Sequence, residues 1–236
     1  DGKGTHIAPD KSKPIVLVYG GSFNPIHAGH VQAVKDAVSH ATEQGYTVSK
    51  VVVTPSAPKL LKKKLGDKSL SLDVRVRAAR IAFEDIPNVE VTEAPALEAE
   101  AEQGKLRRTQ LADWAARTNP GASIVNVTGE DQIVGTPPSL PSIYAADRGT
   151  NHEGYFYMAM ARIHGAGGDI SSSKLRERLE KGQPIPKSMM PTRAMKYIKE
   201  LFWNPKTGAG ETMLIDGMEY LLDEPDLWKR YREKCY

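Results

Sequence analysis

Cysteine is all but absent. The only one among 236 residues is Cys235, so an internal disulfide and a zinc site built from several thiolates are both excluded. Aromatic residues make up 7% of the chain and are not interleaved with basic ones, so the stacking platform of a single-strand nucleic-acid binder is missing. No apolar run approaches the ~18 residues of a membrane span, and the polar residues 1–14 do not read as a signal peptide. Neither sign of charge dominates. Lys and Arg number 32 against 29 Asp and Glu, a net charge of +3 that is mixed along most of the chain and does not imply a nucleic-acid partner. There is no internal repeat and no extended low-complexity tract. With 40% hydrophobic and 26% charged residues the chain can bury a sizeable core. The expectation is a cytoplasmic globular protein of one domain with an appendage.

What is present is an alternation of strand and helix patterns. "PIVLVYGG" (14–21) is a continuous aliphatic run closed by glycines, the pattern of a strand buried on both faces. "HVQAVKDAVSHATEQG" follows with Val31, Val34 and Val38 at helical spacing and Gly45 as a stop signal. "VSKVVVTPSAP" reads as a second strand, "SLDVRVRAARIAFEDIP" as a second helix, "NVEVTEA" as a third strand, "GKLRRTQLADWAARTNPG" as a third helix and "ASIVNVTGED" as a fourth strand. This order predicts an α/β, Rossmann-like doubly wound parallel sheet with helices on both faces. The proline-rich stretch "QIVGTPPSLPSIYAADRGT" has no clear period and reads as a loop or lid. "YFYMAMARI" is a fifth apolar stretch, and "HGAGGDISSSKLRERLEKG" is a glycine-rich turn into a serine-started helix. Two basic concentrations interrupt the mixed charge: Lys59, Lys62, Lys63 and Lys64 in a loop-like stretch, and Arg107 with Arg108. Each is a solvated surface or an anion-binding loop.

Chemistry concentrates in two places. In "GGSFNPIHAGH", Gly20 and Gly21 allow a tight turn and close approach of backbone to a ligand, Asn24 and Pro25 shape the loop, and His27 and His30 open the next helix. Taken singly, each histidine is a surface or capping residue. In an open parallel sheet, however, ligands gather where such loops leave the strands, and a triphosphate there would lie within reach of both imidazoles. In "ISSSKLR" (170–176), Ser171, Ser172 and Ser173 start a helix that carries Arg176 on its first turns.

Together the two stretches resemble the paired signatures of the nucleotidyltransferase superfamily that includes the nicotinamide and nicotinate mononucleotide adenylyltransferases. "GSFNPIHAGH" is similar to its histidine signature, and "ISSSKLR" to its I-S-S-T-x-x-R signature, with Ser173 where threonine is usual. Weaker likenesses are Arg75, similar to an arginine that opens a family helix, and "TGEDQI", similar to a G-x-D turn with Gly129 and Asp131. The resemblance covers about residues 14–200 and implies a nucleotidyltransferase domain at 14–202; the polar residues 1–13 read as a flexible arm, and 203–236, which match nothing in the family, as a C-terminal extension packed on the domain. It implies attack of an acceptor phosphate oxygen on the α-phosphorus of a nucleoside triphosphate, with release of pyrophosphate and no general base. His27, His30 and Arg176 would be catalytic. Gly20, Gly21, Ser22, Phe23, Asn24, Gly129, Asp131, Ser171, Ser172 and Ser173 would bind the nucleotide and its phosphates. Mg²⁺ would be held mainly by substrate phosphates.

The acceptor half departs from the family pattern. A tryptophan is expected shortly after the G-x-D turn, yet none occurs between Trp114 and Trp203, and the aromatic-Thr-x-x-Thr-Leu segment is reduced to "RRTQLADW". Lys62, Arg75, Arg107, Arg108, Tyr144 and Arg148 are the candidate acceptor residues. That cationic set suits a small phosphate or phosphonate, as in the cytidylyltransferase branch of the superfamily, and this reading is placed first. The alternative keeps Tyr144 in place of the tryptophan and makes NAD from ATP and a pyridine mononucleotide. A non-catalytic nucleotide-binding protein is the third reading, and a homo-oligomer is compatible with all three.

Overall fold

Ile15, Val16, Leu17 and Val18 are each no more than 1% exposed, so the first aliphatic run is covered on both sides. In the computed structural model the described residues are 8–66, 69–102, 108–129, 140–146, 157–161, 164–165, 168–181, 183, 185–186, 188–191, 193–197, 212–215 and 218–221. Strand β1 (Ile15–Gly21) leads through α1 (Ala28–Glu43) to β2 (Val48–Pro55). Helices α2 (Pro58–Leu65) and α3 (Leu72–Phe83) then lead to β3 (Val89–Val91), and α4 (Ala94–Glu102) and α5 (Arg108–Thr118) to β4 (Ser123–Gly129). After β5 (Ser142–Ala146) and β6 (Tyr157–Ala161), the short β7 (His164–Gly165) and β8 (Gly168–Asp169) pair antiparallel ahead of α6 (Ser172–Glu180). A separate antiparallel pair is formed by β9 (Thr212–Ile215) and β10 (Met218–Leu221).

The main sheet has six parallel strands in the order β3-β2-β1-β4-β5-β6. The expected α/β Rossmann-like fold is therefore present. Alternation along β1 builds two cores, because successive side chains leave opposite faces of a strand. Ile15 and Leu17 join Val31, Val34 and Ala37 of α1, Val74 and Ala78 of α3, and Leu175 and Leu179 of α6. Val16 and Val18 join Leu111, Trp114 and Ala115 of α5 on the other face. Full burial of each such aliphatic side chain stabilises the fold by about 1.5–3 kcal/mol. The chain leaves β1 for β2 on one side and reaches β4 on the other, so the crevice between β1 and β4 at their carboxyl ends is the switch point where ligands of this fold bind. The loop 22–27 begins there.

Three local expectations change. Lys59, Lys62, Lys63 and Lys64 lie on helix α2, started by Pro58 at its first turn, and not in a loop. The proline-rich stretch holds a regular strand, β5, whose pairing with β4 and β6 supplies the order that periodicity did not show. Helix α4 carries a weak pattern of small residues, with Pro95, Ala96 and Ala99 buried, and was not anticipated. Among the described residues no helix is long and apolar enough to cross a membrane.

Candidate active site

The histidines occupy the N-terminus of α1 and cap it reciprocally. His27 is the N-cap: its Nδ1 accepts from the Gly29 N–H at 3.1 Å, and its own backbone N–H donates to Nδ1 of His30 at 3.1 Å. This is a capping box in which imidazoles replace the usual hydroxyl and carboxylate. Because each Nδ1 accepts a hydrogen bond, each neutral ring must carry its proton on Nε2, on the far side from the backbone groups it caps. The rings stack with centroids 3.6 Å apart and planes 25° from parallel. Burial pushes the His27 pKa down to about 4. His30 is held well below the ordinary histidine range by burial and, second, by the neighbouring His27. At neutral pH the pair is therefore uncharged and presents two N–H donors.

The supporting shell is packed tightly enough to dictate glycine. A Cβ at Gly21 would lie 2.9 Å from the Phe23 ring, and one at Gly29 would lie 2.9 Å from the His27 ring. Phe23 has a φ of +45, unfavourable for a non-glycine residue, and its ring is buried edge-on to Tyr19 at 5.4 Å and to His30 at 5.0 Å. Its side chain thus faces inward and braces His30.

The loop between β1 and α1 has its carbonyls turned to protein donors. Gly21 O accepts from the Ser56 N–H at 2.7 Å, Ser22 O from Arg75 Nη1 at 3.0 Å, Asn24 O from Arg176 Nη1 at 2.6 Å, and Pro25 O from Ser172 Oγ at 2.9 Å. Asn24 is fully buried and its Oδ1 accepts from the Leu70 N–H at 2.7 Å. An anion at this loop would be spared four repulsive carbonyls. Ser171 caps α6, its side chain accepting from the Lys174 N–H, and Ser173 Oγ accepts from Arg176 Nη2 at 3.2 Å. The two signatures are therefore in direct contact, and both helix N-termini carry the partial positive charge that favours phosphate.

The structure brings Gly20, Gly21, Ser22, Asn24, His27, His30, Ser172 and Arg176 together. Gly129 ends β4 beside β1, and Arg108 begins α5 half-buried. Lys62 is exposed on α2. Tyr144 stands on β5 opposite Thr128, while Arg107, Asp131 and Arg148 lie outside the described residues. Arg75 is a correction: it is not open to an acceptor, because it is 0% exposed and its Nε and Nη1 donate to backbone carbonyls. Sequence reasoning also missed Ser56, Leu70 and Met189, whose backbone groups hold the loop and, through the Ala28 N–H to Met189 O bond of 2.8 Å, the start of α1. Backbone donors and acceptors leave no mark in residue identity.

Comparison with known proteins bears on what this arrangement does. The profile of the cytidylyltransferase-like family matches residues 18–178, from the middle of β1 to the second turn of α6. The chain belongs to this family. As a cytidylyltransferase-like protein it is a nucleotidyltransferase. A relative in Methylacidiphilum infernorum (isolate V4), named as a probable nicotinate-nucleotide adenylyltransferase, is 25% identical over 197 residues, covering 78% of this chain and 89% of its own. One of the same name in Gemmatimonas aurantiaca is 27% identical over 132 residues, covering 56% of this chain and 54% of its own. A solved structure from Vibrio parahaemolyticus, described as a nicotinate-nucleotide adenylyltransferase, superposes with a TM-score of 0.52 at 16% identity, covering 80% of this chain and 94% of that one. The last likeness supports the Rossmann-like fold of the cytidylyltransferase-like domain.

Proposed function

We propose that this nucleotidyltransferase transfers an adenylyl group from ATP to a pyridine mononucleotide of the nicotinate type, releasing pyrophosphate. The observation that carries the transfer chemistry is the stacked, neutral His27–His30 pair at the start of α1, next to a loop whose Asn24 and Pro25 carbonyls are held by Arg176 and Ser172 of α6. The acceptor class rests on the names of two relatives.

An acceptor phosphate is already anionic at neutral pH, so no base is needed. One of its oxygens forms a bond to the α-phosphorus while the bond from that phosphorus to the bridging oxygen breaks, and the electron pair leaves with pyrophosphate. The barrier lies in bringing two anions together and stabilising the charge on the five-coordinate transition state. His27 and His30 donate to α- and β-phosphate oxygens without requiring protonation. Ser172, Ser173 and the α6 N-terminus hold the β- and γ-phosphates, and Arg176 places a fixed cation between loop and helix. A Mg²⁺ ion would take its ligands mainly from triphosphate oxygens and water, as that ion usually does. When bound, that ion would neutralise charge on the phosphates.

A second reading, cytidylyl transfer to a small phosphate or phosphonate, rests on the missing tryptophan and the cations around the acceptor half. Withdrawal of Arg75 into the protein weakens it. The deciding experiment is pyrophosphate release measured for ATP, CTP, GTP and UTP against nicotinate and nicotinamide mononucleotides, phosphosugars and phosphonates. Turnover with ATP and a pyridine mononucleotide supports the proposal. Turnover with CTP and a phosphonate alone replaces it, and binding without turnover in any combination reduces the chain to a nucleotide-binding protein.

A further inference from the structure

Among the described residues, Arg75 is the largest side chain that the fold encloses completely. Enclosing a guanidinium is costly without a carboxylate partner, and none of its hydrogen bonds goes to one. Its Nε donates to Leu70 O at 3.2 Å, its Nη1 to Ser22 O at 3.0 Å and Ser56 O at 2.9 Å, and its Nη2 is buried with no hydrogen-bond partner. Those carbonyls belong to three separate segments: the loop after β1, the residue after β2, and the approach to α3. The same segments are cross-linked again by Ser56 N–H to Gly21 O and by Leu70 N–H to Asn24 Oδ1, both 2.7 Å. An apolar side chain of similar volume would anchor α3 to the sheet as well, without the desolvation cost. The charge is therefore to be explained by what it touches.

We propose that Arg75 is a positioning residue for nucleotidyl transfer: it draws the Ser22 and Ser56 carbonyls back from the phosphate site and sets a permanent positive charge beneath the loop. The inference rests on the reading of the site as one for phosphoryl chemistry. Burial lowers the guanidinium pKa to about 10, which leaves it protonated at neutral pH. Because the charge sits away from solvent, its attraction for a polyphosphate in the loop is screened less than that of an exposed lysine. Arg75 touches no substrate in this arrangement; it acts through Ser22 and Ser56.

The test compares Arg75→Met and Arg75→Lys with the wild type in the full chain. Circular dichroism melting, equilibrium binding of inorganic tripolyphosphate by calorimetry, and kcat and KM for the triphosphate are measured well below the melting temperature. Met should weaken tripolyphosphate binding by about tenfold, the scale of losing one weakly screened unit charge near the anion, and lower kcat at least as much. Lys should recover part of the binding through its charge but not kcat, since a single ammonium nitrogen cannot reproduce donors that leave from Nε and Nη1 toward three separate segments. A folded Met variant with wild-type affinity and kcat overturns the proposal, as does a loss seen only in melting temperature. If Met fails to fold, the Lys variant decides: full recovery of kcat by Lys overturns the positioning role. Absence of turnover in the wild type would sink the proposed reaction, whereas tripolyphosphate binding still reports on Arg75; a wild type that binds no tripolyphosphate overturns this inference as well.

Discussion

At the scale of single residues the two histidines cap the helix with one end of the ring, and the proposed chemistry uses the other. Nδ1 caps the helix, and by accepting there each ring is committed to donate from Nε2. His30→Ala should lower kcat by about two to three orders of magnitude, the scale of one lost donor to transition-state charge. His30→Asn should keep the cap, because its side-chain oxygen can accept from the His27 N–H, and should restore melting temperature without restoring kcat. Equal kcat for wild type and His30→Ala, followed by pyrophosphate release, would remove His30 from the chemistry. The depressed histidine pKa values also predict acid lability. The folded-state pKa of His27 is about 4 against an ordinary 6.5, so between these values the unfolded chain binds more protons. Stability contributed by the neutral pair is fully present above pH 6.5 and is lost as pH falls toward 4, by up to about 1.4 kcal/mol per pH unit for each histidine. Denaturant midpoints between pH 7 and 5 should fall less steeply in His27→Asn, which keeps an N-cap but not the titrating ring. Parallel slopes for the two proteins would contradict this assignment.

At the scale of elements, the site is a seam between the starts of α1 and α6. Ser172→Ala removes the hydroxyl that reaches Pro25 O at 2.9 Å and should cost about 1 kcal/mol in stability while loosening the loop. Arg176→Lys keeps a charge but cannot bond both Asn24 O and Ser173 Oγ in the forked geometry, so KM for the triphosphate should rise and kcat fall together. Initial-rate measurements that leave Lys fully active would show that a point charge suffices. Close packing makes Gly29 a sensitive position. Alanine is the better helix former, yet its Cβ would press on the His27 ring at 2.9 Å. Gly29→Ala should therefore lower melting temperature, the propensity gain offsetting only part of the cost of displacing the capping ring, and lower kcat by as much as about a hundredfold if the ring moves by 1 Å. A variant equal to wild type in both would show that the ring has room to shift.

For the whole molecule, the six-stranded parallel sheet sets the seam between α1 and α6 at its central switch point between β1 and β4, and under the proposed function acceptor choice falls to the surrounding loops. If the acceptor is a pyridine mononucleotide, a stacking contribution should keep its KM only weakly dependent on salt. A small phosphonate held by charge alone would show a KM that climbs steeply between low and high ionic strength. Initial rates for the two acceptors at both salt concentrations distinguish these cases, and a steep rise for the mononucleotide would count against the proposed acceptor.

Much of this was legible in the order of residues. Alternating β and α patterns, aliphatic runs closed by glycine, and serine or histidine at helix starts are local signals, because backbone propensity, burial period and capping all act within a few residues. The two phosphate signatures were legible for the same reason, each being confined to one turn of chain. Strand β5 was not, since its order comes from neighbours on both sides rather than from its own period. Arg75 reads as a candidate acceptor residue because the sequence does not show which carbonyls surround a charged helix residue until the fold brings them together. The sequence by itself determined the α/β class and marked out the two signature segments, residues 20–30 and 171–176. Only the tertiary structure decided that these two segments bond to one another, that Phe23 braces His30, and that a buried guanidinium holds three loops. Those relations are long-range hydrogen bonds to backbone carbonyls, and every residue carries the same carbonyl.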